Sequence, residues 1–421
     1  MKMVSLIAVI SHILAPNSQL LAPTKVACPP SNAYFCGPIP KPVLLTLFSA
    51  AVWVVLAAVL VQLFYAAYYF LPFARRPPEP TAPEPTAPEP TEPVSVVVCA
   101  RNELSNLRRL LPLLLQQDYP AGFEIVLVDD RSDDDTFLYV QQLTQYYPHV
   151  RLVTVERTPD GLAPKKYALT LGIKAARYEQ LIFTDADCIP ATKHWLRHMQ
   201  YGFQQPADVV LGFSAYAEEP GLLNKVIRFE TLLTAAQYLS LAWRGAPYMG
   251  VGRNLAYTRQ VFRATKGFAS HIRSLSGDDD LLVQDAVAQG AQVAVVAEPA
   301  AHTLSEPARS WGAWWRQKRR HLSAGHRYRL ADRWRLGNFM GANLLFYAAA
   351  GVALFSSPNW IPLAGLWVGR TALVCATYRQ LSRRLDTPLP LRWLPVLDAV
   401  YFVNYLALGT SLFLYRTLRW K

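Results

Sequence analysis

The most chemically loaded stretch is FTDADCIP, Phe183 to Pro190, where Asp185 and Asp187 stand one residue apart directly after the apolar run LIFT. Carboxylates are hard oxygen donors. Two of them at the end of a strand suit Mg2+ or Mn2+, which needs only one or two protein carboxylates and fills its shell with water and phosphate oxygens. Two further acidic runs accompany this pair: DDRSDDDT, Asp129 to Thr136, and LSGDDDLLV, Leu275 to Val283. An acid just past a parallel strand can accept from a ribose hydroxyl or a base N–H. Asp278 to Asp280 instead lead into an apolar helical run, where acids complement the helix dipole or one of them serves as a general base. A lone DxD arises by chance in surface turns, and it is the position after LIFT that singles this one out.

Positioning such acids requires a rigid scaffold, and from Val94 onward the pattern supplies one. Short β-branched runs alternate with helical stretches: VSVVVCA then LRRLLPLLLQQ, EIVLVDD then DTFLYVQQLTQYY, VRLVTVE then KKYALTLGIKAA, followed by QLIFTDAD and DVVLGF. Strands alternating with helices predict βαβ units on a mainly parallel sheet, covered on both faces. In such α/β sheets ligands bind beyond the carboxyl ends of the strands, where Asp129, Asp130, Asp185 and Asp187 fall.

The flanks have a different character. Residues 43–73 are nearly uncharged and long enough to cross a bilayer, which takes roughly 20 residues. Asn338 to Phe355, Trp360 to Tyr378 and Leu394 to Tyr415 are each close to a span in length, giving a C-terminal membrane region, 338–415, of two to three helices. Arg75 and Arg76 after the first span, and Arg327, Arg329, Arg333 and Arg335 before the next, place the intervening block in the cytoplasm by the positive-inside rule. The chain thus reads as integral to a plasma (bacterial inner) membrane. The last segment leaves Arg416, Arg419 and Lys421 on the wrong side if it crosses, so a re-entrant or surface-lying course stays open.

Residues 1–42 form an N-terminal leader expected outside the cytoplasm, with a weak likeness to a signal peptide. Residues 74–93 contain PPEPTAPEPTAPEPTEP, an extended polyproline II spacer that reaches roughly 50 Å at about 3.1 Å per residue. Residues 311–335 hold WGAWWRQKRRHLSAGHRYR, Trp311 to Arg329, which as one helix would set tryptophans at headgroup level beside arginines. That setting assigns the densest part of the net charge of +12 to a lipid surface, and no nucleic-acid partner is expected. The cysteines have no metal-binding spacing, which leaves no case for a zinc site.

One ordered set of motifs resembles a known family. RNE (Arg101 to Glu103), VDDRSDDDT, the KxxAL element at Lys165 to Leu169, TDAD, VGRNLAY (Val251 to Tyr257), GDDDLL and QKRRH (Gln317 to His321) together look like the inverting family 2 glycosyltransferases. The membrane-embedded members are the most similar: ceramide glucosyltransferase, cellulose synthase and hyaluronan synthase. The resemblance covers about Val94 to His321. It implies a cytoplasmic GT-A-type nucleotide-diphospho-sugar transferase domain, 94–310, flanked by transmembrane helices.

The same resemblance implies roles. Asp129 or Asp130 would contact the uridine, with Arg101, Glu103 and Lys165 lining the nucleotide pocket. Asp187 would ligate a divalent metal (Mg2+ or Mn2+) on the diphosphate, and Asp185 would support the ribose or the metal shell. Asp278 stands where the family's base aspartate stands, with Asp279 as the close alternative. Gln317 and Arg320 match the family's QxxRW motif and would be catalytic, Arg320 as a cation that stabilises the departing diphosphate, whereas His321 replaces the motif's tryptophan, a departure from the acceptor platform of the polymer synthases. The implied activity is transfer of a hexose from a nucleotide sugar, UDP-linked, to a membrane lipid acceptor. The alternatives are a processive polysaccharide synthase and, further off, a nucleotidyltransferase, for which no glycine-rich phosphate loop is evident near Cys99 to Leu107.

Overall fold

The computed structural model describes residues 41–77, 90, 92–204, 206–356 and 361–414. The leader up to residue 40, the bulk of the proline-rich spacer and the C-terminal Arg416, Arg419 and Lys421 lie outside the described residues. The chain divides into two compact units, one of Met1–Leu63 with Asn338–Val374 and one of Phe64–Gly337 with Cys375–Lys421.

The first unit is a small helical core in which Val55, Phe346, Ala350, Ala353 and Leu363 are buried together. Its polar groups are paired within it: Gln62 Nε2 donates to the Ala342 carbonyl at 3.3 Å, and the Arg370 guanidinium donates to Gln62 Oε1 and Asn343 Oδ1 at 2.7 Å each. Such pairing is what a water-poor setting demands, since an unmatched polar group there costs several kcal/mol. Three helices of the chain are long and apolar enough to cross a membrane: Pro42–Ala74, Leu330–Ser356 and Ile361–Arg384, with mean hydropathies of 2.6, 1.6 and 1.2.

The second unit is built on a seven-stranded sheet. Its strands are β1 (Val94–Ala100), β2 (Phe123–Asp129), β3 (Val150–Thr154), β4 (Gln180–Phe183), β6 (Val209–Leu211), β8 (Leu255–Thr258) and β9 (Val293–Val295), in the order β3-β2-β1-β4-β8-β6-β9. All pairings are parallel except those of β8, which runs antiparallel to both β4 and β6. The expected mainly parallel sheet is therefore present, with one reversed strand drawn from LAYT. Val96, Val98, Ile125, Leu127 and Ile182 are wholly or almost wholly buried, which accounts for the unbroken apolar runs. A second, three-stranded sheet joins β5 (Cys188–Pro190), β10 (Thr303–Ser305) and β7 (Ser214–Tyr216) in the order β5-β10-β7. It has no counterpart in the sequence reading, because three-residue strands carry no readable period.

The predicted single helix from Trp311 to Arg329 is corrected. The helix covers Trp311–Leu322 only, a short turn follows at Gly325–Arg327, and Arg333 and Arg335 belong to the next helix, Leu330–Ser356. Ser323 Oγ donates to the Arg320 carbonyl at 2.6 Å, closing the helix where its last carbonyls lack intrahelical partners. The final apolar segment is one unbroken helix, Leu394–Leu414, packed against the long helix Leu222–Trp243 and against Trp311–Leu322.

Glu230 joins these three helices. Lys318 Nζ lies 2.6 Å from its carboxylate, Tyr405 OH donates to it at 2.8 Å and Trp314 Nε1 at 3.4 Å, with Glu230 itself 2% exposed. Replacing Glu230 by alanine leaves Lys318 buried beside nothing to neutralise it. The expected loss of stability is about 3 kcal/mol or more, read as a lowered thermal midpoint in detergent, and an unchanged midpoint would show that solvent already reaches the pair.

Candidate active site

The helix Pro164–Ala175 begins with a proline at its first turn and lies directly on β1 and β2. Gly172 makes that approach possible, because a Cβ there would fall 2.7 Å from a methyl of Val128 and 2.9 Å from one of Val97. The close seat brings Lys165, at the start of the helix, over the carboxyl end of β4. From the other side Gly277, with φ of 94°, turns the chain so that Asp278 faces inward just before the helix Asp280–Ala288.

These two devices meet at Lys165. Its Nζ lies 2.9 Å from Asp185 Oδ1 and 3.0 Å from Asp278 Oδ2, so one ammonium bridges two carboxylates that are 93 positions apart in the chain. The three side chains line a pocket with Cys99, Leu169, Phe183, Thr184, Gly252, Leu255 and Tyr257. Burial alone would lower the pKa of Lys165, but the Asp185 and Asp278 charges outweigh it and hold the ammonium well above its ordinary value. Burial works to raise Asp278, yet Lys165 reverses it and keeps that carboxyl below the usual range.

The three consecutive acids are thereby separated in role. Asp279 Oδ2 accepts from the Gly252 N–H at 2.9 Å and its Oδ1 from the Asp280 N–H at 2.8 Å, which turns the carboxylate toward the backbone. Burial and the Asp278 charge push its pKa up. Asp280 is buried, accepts from Tyr328 OH, and is raised to about 7 by burial and by Asp279. Of the three, Asp278 is the one that lines the pocket, its carboxyl held low by Lys165.

Replacing Lys165 by methionine removes the cation that depresses Asp278. The acid limb of the kcat/KM profile is then expected to move to higher pH, since the carboxyl protonates sooner as pH falls. A limb that stays in place would show that Asp278 is not the group it reports.

Asp187 is exposed two residues beyond Asp185, and Cys188 Sγ donates to its Oδ1 at 3.2 Å. Shielding in the cleft and the neighbouring Asp185 carboxylate push its pKa up. One ligand atom each from Asp185, Asp187 and Cys188 lie within 4.8 Å of one another. Two mutually repelling carboxylates on one rim fit a hard divalent cation, which Asp187 would be open to ligate while Asp185 is shared with Lys165.

The remaining predicted residues form a second group at the ends of β1 and β2. Asn102 Oδ1 accepts from the Asp133 N–H at 2.6 Å, the Asn102 N–H donates to Ser132 Oγ at 3.0 Å, and the Glu103 N–H donates to Thr136 Oγ1 at 3.0 Å. The two loops are tied together before any ligand arrives. Within them Asp130 is paired with Arg131 at 2.9 Å, and Glu103 accepts from Asn106 Nδ2 at 2.6 Å. Asp129 is buried, its Oδ1 without a hydrogen-bond partner among the described residues, and Arg101 is exposed. Cys99, one residue before the end of β1, lines the Lys165 pocket.

Gln317 and Arg320 stand one turn apart on the helix Trp311–Leu322, both half-buried, with His321 exposed beside them. Gln317 Nε2 donates to Tyr216 OH at 3.4 Å, and the Arg253 guanidinium carbon lies 4.4 Å from the centre of that tyrosine ring. Arg253 and Tyr216 were not singled out from the sequence. Arg253 was in view only as part of VGRNLAY, and Tyr216 lies on a three-residue strand without a motif.

Against known proteins, residues 95–265 match the family model described as Glycosyl transferase family 2. The Probable glycosyltransferase YdaM of Bacillus subtilis is 26% identical over 240 residues, covering 56% of this chain and 55% of that protein. The Poly(ribitol-phosphate) beta-glucosyltransferase of Bacillus spizizenii is 29% identical over 123 residues, covering 28% of this chain and 18% of that protein. The chain thus spans about half the length of the first of these curated relatives and less of the second. Among solved structures, the mannosyltransferase PcManGT from Pyrobaculum calidifontis, in complex with GDP-Man and Mn2+, superposes with a TM-score of 0.51 at 20% identity, covering 86% of this chain and 98% of that one. The fold is the GT-A-like α/β fold of glycosyltransferases.

Proposed function

The chain carries a glycosyl transferase family 2 domain, and on that premise we propose that it is an inverting, metal-dependent hexosyltransferase that moves a sugar from a nucleotide donor, UDP-linked, to a membrane lipid. The observation that carries this reading is the convergence of Asp185, Lys165 and Asp278 on one pocket, with Asp187 on its rim.

In this mechanism Asp278 accepts the proton of the acceptor hydroxyl as its oxygen attacks the anomeric carbon. The new C–O bond forms on the face opposite the leaving group. The old C–O bond breaks with its electron pair moving to the phosphate oxygen of the nucleoside diphosphate. One displacement inverts the carbon, and no second nucleophilic carboxylate is called for. A divalent cation, Mg2+ or Mn2+, held by Asp187 and Asp185, would neutralise the diphosphate. Donor phosphate then competes for Lys165, which frees Asp278 from its ion pair. Arg101, Glu103, Asp129 and Asp130 bind the nucleoside, and the unmatched Asp129 Oδ1 supports a hydrogen-bonding ligand there. Gln317 and Arg320 border the acceptor side.

A lipid acceptor is supported by the three apolar helices that flank the domain and by His321 in place of the family's tryptophan. The test is nucleoside diphosphate release by the full chain in lipid nanodiscs, across UDP- and GDP-sugars, with Mn2+ and with extracted lipids. Radiolabel entering the organic phase in a lipid- and metal-dependent manner supports the reading. Label accumulating as a water-soluble polymer would favour a processive synthase, and no release with any donor would sink the donor assignment.

A further inference from the structure

Gly252, Arg253 and Asn254 are consecutive, and each has a separate structural task. The Gly252 N–H holds Asp279. Asn254 is fully buried and locked on three sides: Trp195 Nε1 donates to its Oδ1 at 3.0 Å, and its Nδ2 donates to the carbonyls of Phe213 at 2.7 Å and Ala301 at 2.8 Å. Between these anchors the Arg253 carbonyl accepts from Thr184 Oγ1 at 3.1 Å and Thr303 Oγ1 at 3.0 Å. The backbone at Arg253 is therefore fixed from the residue that follows β4, from the small sheet and from the packing network around Asn254.

The side chain is fixed as well, but by neutral groups. Nη1 donates to Ser305 Oγ at 2.9 Å and the guanidinium lies over Tyr216 at 4.4 Å. Among the described residues no carboxylate is within ion-pairing distance of it. Ser305 Oγ, which Arg253 grips, lies 2.8 Å from Cys188 Sγ, and that thiol donates to Asp187 Oδ1 at 3.2 Å, so the guanidinium and the acid pair share one region. A guanidinium presents five N–H donors in a planar fork, and among the described residues one of them is engaged by a hydrogen bond to protein. Four donors, a fixed plane and a full positive charge beside a pair of acids describe a site for an anion that itself bridges cations.

Resting on the donor assignment above, we infer that Arg253 is a diphosphate-binding catalytic residue, whose guanidinium takes the phosphate oxygens of the nucleoside diphosphate as the bond to the sugar breaks. The charge that develops on the leaving oxygen is met by a cation held rigid before the reaction, which is where fixed dipoles and charges are most effective. The tyrosine beneath it also contacts Gln317, so the acceptor-side helix and the diphosphate cation share one support.

The experiment compares the binding of UDP and of uridine to the full chain in nanodiscs with Mn2+, by calorimetry, for wild type, Arg253→Met, Arg253→Lys and Ser305→Ala. GDP and guanosine replace them if the wild type prefers guanine. Loss of a charge-assisted bidentate contact predicts a UDP affinity lowered about 10- to 100-fold in Arg253→Met, with uridine affinity unchanged. Arg253→Lys falls between, because an ammonium keeps the charge without the fork, and Ser305→Ala shows a smaller loss of the same kind. Equal UDP affinity in wild type and Arg253→Met, or an equal fall for UDP and uridine, overturns the inference and leaves the donor assignment standing. A wild type that binds neither diphosphate overturns both.

Discussion

Asp278→Asn should lower kcat by about a hundredfold to ten-thousandfold while leaving the affinity for nucleoside diphosphate within a few-fold of wild type, the range expected when a positioned general base is removed. Asparagine keeps the size and one acceptor oxygen but cannot take a proton. The argument rests on how the structure distributes the three adjacent acids. Asp279 spends both oxygens on backbone N–H groups and Asp280 is held by Tyr328, which leaves Asp278 the one whose carboxylate meets the pocket, as an ion paired with Lys165. Asp279→Asn is therefore expected to act mainly through the loop, lowering thermal stability and affecting kcat less. The comparison needs kcat, diphosphate affinity and thermal midpoint for both variants. An Asp278→Asn enzyme with near-normal turnover would remove Asp278 from the mechanism, and an Asp279→Asn enzyme that is folded but dead would transfer the role one residue on.

Asp187→Ala carries the second large effect, a loss on the order of a hundredfold to a thousandfold in turnover, with Mn2+-dependent nucleotide binding abolished. Asp187 is exposed, and its described hydrogen bond comes from the neighbouring Cys188 thiol, so the fold does not depend on it. Asp185 by contrast already has a cation in Lys165. Titration of free Mn2+ by electron paramagnetic resonance, with and without UDP, separates metal binding from catalysis. A variant that still binds Mn2+ in the presence of UDP as wild type does would show that the rim carboxylate is not a ligand.

The two effects differ in kind as well as size. On the proposed mechanism one would remove a proton acceptor and be read in kcat; the other would remove a metal ligand and be read in binding. The Lys165 ammonium touches both sides, which is why its replacement is expected to shift a pH profile rather than to delete a single step.

Much of this protein is determined locally along the chain. Residues buried on both faces of a parallel sheet must be apolar and β-branched, so β1, read from VSVVVCA, is marked in sequence without knowledge of its neighbours. Acids at strand ends stand out against those runs, so Asp129, Asp185 and Asp187 were visible as candidates, and spans of uncharged residues were visible for the same reason. The acidic motifs fall at strand ends and turns, whereas Lys165–Leu169 and Gln317–His321 lie within helices. What the sequence did not reveal depends on contacts between distant positions. The reversed strand β8 looks like any other short β run, since direction is set by its partners and not by its residues. The break after Leu322 is a matter of one serine and a glycine in an otherwise amphipathic pattern. The different surroundings of Asp278 and Asp279 come from a backbone N–H at Gly252 and an ammonium at Lys165, and the setting of Arg253 comes from Tyr216, Ser305 and the locked Asn254. Burial patterns are written into each segment because every residue meets the solvent boundary on its own, whereas the roles of charged groups are pairwise, and the pairs exist only once the chain has folded.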